Sequence, residues 1–391
     1  MKRKVPLNEI PPKAPAAETA AMTANSIGRS ARQQISLVLQ GGGALGAYQA
    51  GVYQALMEGG IEPDWVIGTS IGAINGALIA GNEPKNRIAR LREFWDGVTK
   101  TDSLAALPLA SIFGNSPANL HTIMNGIPGF FRPNSHAVWA SRFPVGIERA
   151  SYYTTDPLKK TLGRLVDFDY INRKHTRLTV GAVNVRTSEM RYFDSRDTEL
   201  GPAHVMASGA LPPAFPAVFI DGDPYWDGGI YSNTPIEVVL DDNPRRDSLI
   251  FSLNLWQPSG ADPKTIVEVM GRQKDIQYAS RGKSHVARQE QIHRLRHVVR
   301  ELAKRIPGEQ REDPEVKELA SYGCGTTMHL VRLLSPSLAG EDHTKDIDFT
   351  REGIETRWRA GYDHALHLLA KKPWKSNVDA LQGVVIHESS E

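Results

Sequence analysis

Cysteine is almost missing from this chain. Among 391 residues only Cys324 is present, so no intramolecular disulfide can form. Its neighbours Gly323 and Gly325 suit a turn better than an activated thiol. No Cys/His spacing of a metal site occurs, and the chemistry read below needs no metal or other cofactor. Long hydrophobic runs are missing too. The most apolar stretch, Val66 to Ala80, contains Asn75 and is too short to span a bilayer, so a buried helix is its better reading. Lys2, Arg3 and Lys4 are followed by Pro, Asn and Glu where a signal peptide would be apolar, so no Sec signal is evident. Neither sign of charge is in excess. The 46 Lys and Arg against 44 Asp and Glu leave +2, too mild a balance to imply nucleic acid. The expectation is a cytoplasmic globular enzyme whose only membrane contact is peripheral.

What the chain does have is apolar content, at 40%, and 23% charged residues, ample for a large core. Residues 1–33, rich in Pro, Ala and Thr without apolar periodicity, read as a flexible tail. Beyond it the apolar run Trp65-Val66-Ile67 leads into Gly68-Thr69-Ser70-Ile71-Gly72. A G-x-S-x-G turn between strand and helix forces its serine into a strained, exposed position. Earlier, the strand-like Ile35 to Gln40 runs into Gly41-Gly42-Gly43-Ala44-Leu45-Gly46, which opens a helix. The N–H groups of Gly41, Gly42 and Gly43 can converge at a positive helix end and hold an oxyanion. One such donor is worth about 3 kcal/mol of transition-state stabilisation. Downstream, Asp227-Gly228-Gly229 offers a carboxylate with little to crowd it. A serine hydroxyl needs a base within hydrogen-bond reach, so Asp227 should be desolvated and its pKa raised.

Two rival readings use the same residues. Gly41, Gly43 and Gly46 also satisfy G-x-G-x-x-G, with Glu62 or Asp64 placed for a ribose contact, which would make a dinucleotide-binding protein. A nicotinamide enzyme, however, does not require the serine elbow after the second strand. A Ser-Asp-His triad of the α/β-hydrolase kind could use His293 or His364, but both lie in helical stretches without a loop signature.

In the Gly41–Gly46 loop, the Gly68–Gly72 elbow, Asp227-Gly228-Gly229, and the Ala207 to Pro216 segment before it, the chain resembles the patatin-like phospholipases over roughly residues 33 to 255. The resemblance implies a Ser70–Asp227 dyad without histidine, with Ser70 as nucleophile, Asp227 as base and Gly41 to Gly43 as oxyanion hole. It also implies a serine acyl hydrolase cleaving lipid esters, phospholipids included, through an acyl-enzyme. Many members carry Arg or Lys where Leu45 stands, so that cation is lacking here. The class-different alternative is a lipid-binding module with an idle site.

Strands alternating with helices predict an α/β fold of three layers, a mostly parallel sheet flanked by helices. Thr176 to Val185 and Asp247 to Leu255 read as core strands, and Met190 to Phe193 pairs with the former through a turn at Thr187-Ser188. Residues 34–258 form the catalytic domain and 259–391 a mainly helical C-terminal extension. Within the first, residues 101–150 are apolar yet laced with Gly and Pro, as either a lid or acyl funnel over Ser70 or a second small core. Lys264 to Ile306 reads as a basic helix with Ile292, Leu295, Val299 and Leu302 as its buried stripe. Its cations would meet anionic headgroups or simply solvent. A last helix, capped by Thr350, should bury Ile354, Trp358, Tyr362, Leu366 and Leu369.

Overall fold

The computed structural model describes residues 33–99, 122, 124–338, 341–376, 379 and 381–388. The reading of residues 1–32 as a tail, and of residues 101–121 and 123 as part of an insertion, therefore lies outside the described residues. Strand β1 (Gln34–Leu39) sits near the middle of a nine-stranded sheet, between β2 (Trp65–Thr69) and β9 (Ser248–Asn254), parallel to both. Its last four residues are buried, as expected of a parallel strand covered on both faces. The short ribbon of β3 (Arg132–Pro133) and β4 (Tyr153–Thr154) stands apart from this sheet. On one side of β2 lies β5 (Arg177–Asn184), in parallel. It pairs antiparallel with β6 (Met190–Asp194) and with β8 (Asp223–Asp227), and β8 in turn with β7 (Val218–Ile220). The sheet is mixed, parallel through its centre, with helices on both faces.

Register places the chemistry. Leu39 lies opposite Gly68, Thr69 opposite Gly181, and Ala182 opposite Asp227. The end of β1, the end of β2 and the end of β8 thus reach one level of the sheet, with β5 between the serine and the aspartate. Helix α1 (Ala47–Glu58) follows the glycine loop, α2 (Ile71–Ala80) follows the serine and is buried throughout, and α3 (Pro84–Val98) packs outside it.

The C-terminal region is helical as read, but it also carries β10 (Met328–Leu334) and β11 (Val384–Glu388), which prolong the same sheet beyond β9 in parallel. Helix α4 (Ile266–Arg305) begins where Thr265 accepts the N–H of Glu268 at 3.2 Å. Its buried face differs from the stripe expected from apolar residues. Leu295 is 65% exposed and Leu302 is exposed as well, whereas Val286, Gln289, His293 and His297 face inward. The reason is a backbone requirement. The helix lies over the end of the short helix Glu237–Leu240 and the loop before β10, whose carbonyls need partners: His293 meets the carbonyl of Leu240 at 3.1 Å and His297 that of Thr326 at 3.0 Å. Helix α5 (Arg351–Lys371) is capped by Thr350, which accepts from Gly353 N at 3.1 Å. Its face is turned slightly from expectation, burying Ile354, Trp358, Gly361, Ala365 and Leu368 and leaving Leu366 exposed. Among the described residues no helix is long and apolar enough to cross a membrane.

Candidate active site

Ser70 is the one residue between β2 and α2, and its backbone is held at φ 56°, ψ −124°. Side chains rarely accept that region, and about 1–3 kcal/mol of strain is stored there. The surroundings hold it in place. Ser70 N donates to the carbonyl of Ser208 at 3.1 Å and to its hydroxyl at 3.0 Å, and that hydroxyl donates to Gly181 O at 2.6 Å. Gly68 and Gly72 flank the elbow so tightly that a Cβ on Gly72 would run into the carbonyl of Leu39. The serine also stands at the N-terminus of α2, whose positive end favours an alkoxide.

Asp227 ends β8 and is 2% exposed. Its carboxylate accepts the N–H of Gly229 at 2.7 Å, inside the turn formed by Gly228 to Ile230, and lies close enough to the Ser70 hydroxyl for that group to lower its pKa. Burial pushes its pKa up to about 7, and Ser70 and the bond from Gly229 offset part of that rise. A carboxylate with this pKa is a far better base at neutral pH than an exposed aspartate. Ser70 and Asp227 are therefore brought together, and no histidine lines the cavity they share among the described residues. His293 is fully buried against Leu240, and His364 is bonded to the Tyr48 hydroxyl at 2.7 Å. The acids that a ribose would need are committed elsewhere. Glu62 pairs with Arg87 at 2.6 Å, and Asp64 accepts the N–H of Ile35 at 2.9 Å.

Across the cavity lies the glycine loop. The amide of Gly41 donates to Asn233 O at 3.2 Å, so it is occupied within the fold. Those of Gly42 and Gly43 have no acceptor among the described residues, and both glycines line the cavity. Two donors hold the Gly41 carbonyl, Trp256 Nε1 at 2.7 Å and Asn233 Nδ2 at 3.0 Å. Because a trans peptide sets C=O and N–H in opposite directions, fixing that carbonyl also fixes the direction of the Gly42 N–H. Gly43 has φ +55°, and a Cβ there would strike the carbonyl of Asp346 in the turn Lys345–Ile347. Gly46 caps α1, and its carbonyl accepts from Asn75 Nδ2 at 3.0 Å.

Trp256 packs at a tilt on Tyr278 with ring centroids 4.8 Å apart, so Trp256→Phe keeps an aromatic ring there while removing the indole N–H and part of the bulk. The expected result is a fall in kcat of up to about tenfold, the worth of one buried hydrogen bond, with a smaller change in KM. Steady-state kinetics on a soluble ester check this, and an unchanged kcat would show that the clamp does not position the loop.

The cavity measures about 220 Å³, and its wall is mainly apolar: Ile74, Phe130, Phe131, Leu211, Phe215 and Phe349. Several of its residues were not singled out in the sequence. Asn233 follows the Asp-Gly-Gly turn by four residues, whereas Trp256, Tyr278, Asp346, Ile347 and Phe349 lie farther along the chain, remote from the three motifs. Ion pairs of Lys274 with Asp346 at 2.7 Å and Lys345 with Asp275 at 2.8 Å fasten that region to α4 beside the glycine loop.

Comparison with known proteins gives two family matches. Residues 37–240, just over half of the chain, fit the model described as patatin-like phospholipase, and residues 276–381 fit a second, described as patatin phospholipase. Among curated proteins, patatin-like phospholipase domain-containing protein 7 of Rattus norvegicus is 29% identical over 210 residues, which are 52% of this chain and 12% of that protein. Lysophospholipase nte1 of Aspergillus terreus is 58% identical over 48 residues, 12% of this chain and 3% of its own. The chain thus spans only a small part of these relatives. The crystal structure of VipD from Legionella pneumophila aligns at a TM-score of 0.37 and 16% identity, over 87% of this chain and 67% of that one. With the family model covering the strand, glycine loop, elbow and Asp-Gly-Gly turn just described, the chain belongs to the patatin-like phospholipase family.

Proposed function

We propose that the protein is a serine acyl hydrolase that cleaves carboxylic ester bonds of lipids through Ser70 and Asp227. The observation that carries this reading is a buried carboxylate beside a strained serine in one apolar cavity, its pKa pushed up to about 7 by burial. Asp227 takes the proton of Ser70 Oγ as the oxygen attacks the ester carbonyl. The N–H groups of Gly42 and Gly43 receive the negative oxygen, and Gly41 shapes the loop through its bonded carbonyl and amide. Collapse expels the alcohol, which takes its proton from Asp227 and leaves an acyl group on Ser70. Water then attacks while Asp227 accepts its proton, and the second collapse returns that proton to Ser70.

The cavity is smaller than the roughly 300–1,000 Å³ common for drug-sized ligands, which suits one acyl chain with the headgroup outside. In this reading residues 34–258 carry the chemistry. The described part of 101–150 acts as the acyl-funnel wall through Thr122, Phe130 and Phe131, and the region from 259 closes the cavity through Tyr278, Ile347 and Phe349. An idle lipid-binding module would have no use for an aspartate whose ionisation opposes folding. The test is turnover of nitrophenyl esters of graded chain length and of lysophospholipid micelles. Hydrolysis favouring medium or long acyl chains supports the reading, and inertness of the folded chain toward every ester overturns it.

A further inference from the structure

The segment that walls the cavity has a second face. Its inner side supplies Phe130, Phe131 and Tyr153, with Phe131 packed on Tyr153 at 4.9 Å and on Phe215 at 5.2 Å between ring centroids. Its outer side is apolar as well, yet unburied. Val138 is 80% exposed, Trp139 62%, and both Phe143 and Tyr152 56%. Val138 and Trp139 lie on the short helix Ala137–Ala140, and Trp139 and Phe143 pack together at 5.5 Å. Isolated exposed hydrophobic residues are ordinary, but four large ones on one short segment mark an interaction surface.

Charge identifies the partner. Residues 132–152 hold Arg132, Arg142 and Arg149 against the single acid Glu148. Arg142 and Arg149 are exposed and form no ion pair among the described residues. Aromatic rings beside unpaired arginines match the boundary of an anionic bilayer, where Trp and Tyr settle at headgroup depth and each cation adds attraction. Attachment to the cavity is direct, since Tyr152 N donates to Pro213 O at 3.1 Å and Tyr153 N to Ala214 O at 2.9 Å, with Ala214 and Tyr153 in the cavity wall.

We propose that the face built on Val138, Trp139, Phe143 and Tyr152, with the exposed Arg142 and Arg149 of the same segment, seats the protein on an anionic phospholipid bilayer. It deepens the hydrolase reading, on which it rests for its purpose, by placing the cavity wall against the source of its substrate. Binding itself needs no catalysis, so the two can fail separately.

The experiment is co-sedimentation of the full chain bearing Ser70→Ala with vesicles of phosphatidylcholine, alone or with phosphatidylglycerol. The Ser70→Ala chain should bind the mixed vesicles more tightly than the neutral ones, and 0.5 M salt should erase most of that difference as charges are screened. Adding Trp139→Ser and Phe143→Ser together should weaken binding at least tenfold on the burial of two aromatic side chains. Arg142→Glu with Arg149→Glu should abolish the preference for the anionic lipid. With Ser70 intact, the aromatic double variant should hydrolyse a dissolved short ester as the wild type does, yet lose most of its rate on vesicles. Equal vesicle binding with and without the two aromatics overturns the proposal. So does light scattering that finds a dimer which these substitutions dissociate, because the face would then belong to a second copy. Loss of ester turnover by the wild type would instead remove the hydrolase reading and leave the binding result standing.

Discussion

Asp227→Asn should silence the protein and stabilise it at once. Removing the base is expected to lower kcat/KM by about 10⁴-fold, at the upper end of general-base effects. The gain in stability follows from the raised pKa. The unfolded aspartate titrates near its ordinary 3.8, and the folded one at about 7. A group whose folded pKa is raised contributes stability fully present below the unfolded pKa and lost as pH rises through the folded one. Between those two values the unfolded chain gives up its proton while the native chain keeps it, so the wild type weakens as pH increases. Three pKa units correspond to about 4 kcal/mol, an upper figure for a fully buried group. Asparagine does not titrate, so the variant's advantage should grow from pH 4 to pH 7 and then level off. Denaturant titrations of both proteins at several pH values measure it, and an advantage that does not vary with pH would mean that Asp227 keeps an ordinary pKa in the fold. Wild-type kcat/KM should rise with pH to a plateau, with an apparent pKa near 7, because only the ionised carboxylate accepts the serine proton.

Ser70→Ala removes the proposed nucleophile and should cost about 10⁴- to 10⁶-fold in kcat, with a phosphonate ester probe no longer labelling the protein. Stability should barely move, because alanine keeps both the side-chain carbon and the unfavourable φ of 56°. Ser70→Gly, which accepts that backbone angle, should be equally inactive but more stable by about 1 kcal/mol. The two active-site substitutions should not add. A protein lacking both Ser70 and Asp227 should be about as slow as one lacking Ser70 alone, since a base with nothing to deprotonate does no work. Additive losses would separate the residues and sink the dyad.

The elbow and the Asp-Gly-Gly turn were legible in the sequence because their geometry is local. Gly68 and Gly72 must be small for reasons found within a few residues of Ser70 and at the end of the neighbouring strand. Alternation of strands and helices likewise exposed the parallel centre of the sheet. What escaped depends on distant partners. Whether the amide of Gly41 faces an oxyanion or the Asn233 carbonyl is decided by a residue nearly two hundred positions away. Strand β10 hid in Met328-His329-Leu330-Val331-Arg332, where His and Arg break the apolar run, and β11 is shorter still. Hydrophobicity also misdirected the reading of α4, for its inward face is chosen by two histidines that answer backbone carbonyls. Tyr278, Ile347 and Phe349 carry no local mark of the cavity they close.

The position of β1 between β2 and β9 has a consequence for synthesis. Strand β1 leaves the ribosome well before its second neighbour, which follows only after the intervening two hundred or so residues, about 10–40 s later at ordinary elongation rates. The bonds that orient Gly41 come from Asn233 and Trp256, and the turn seated on Gly43 comes later still, at Asp346. A growing chain therefore holds Ser70 and its elbow long before the glycine loop is braced. Ribosome-bound chains arrested before β9 should not react with a phosphonate ester probe, whereas chains extended well past Phe349 should. If the hydrolase reading holds, a protein made in this order stays harmless to nearby membranes until the segment through Phe349 has been made.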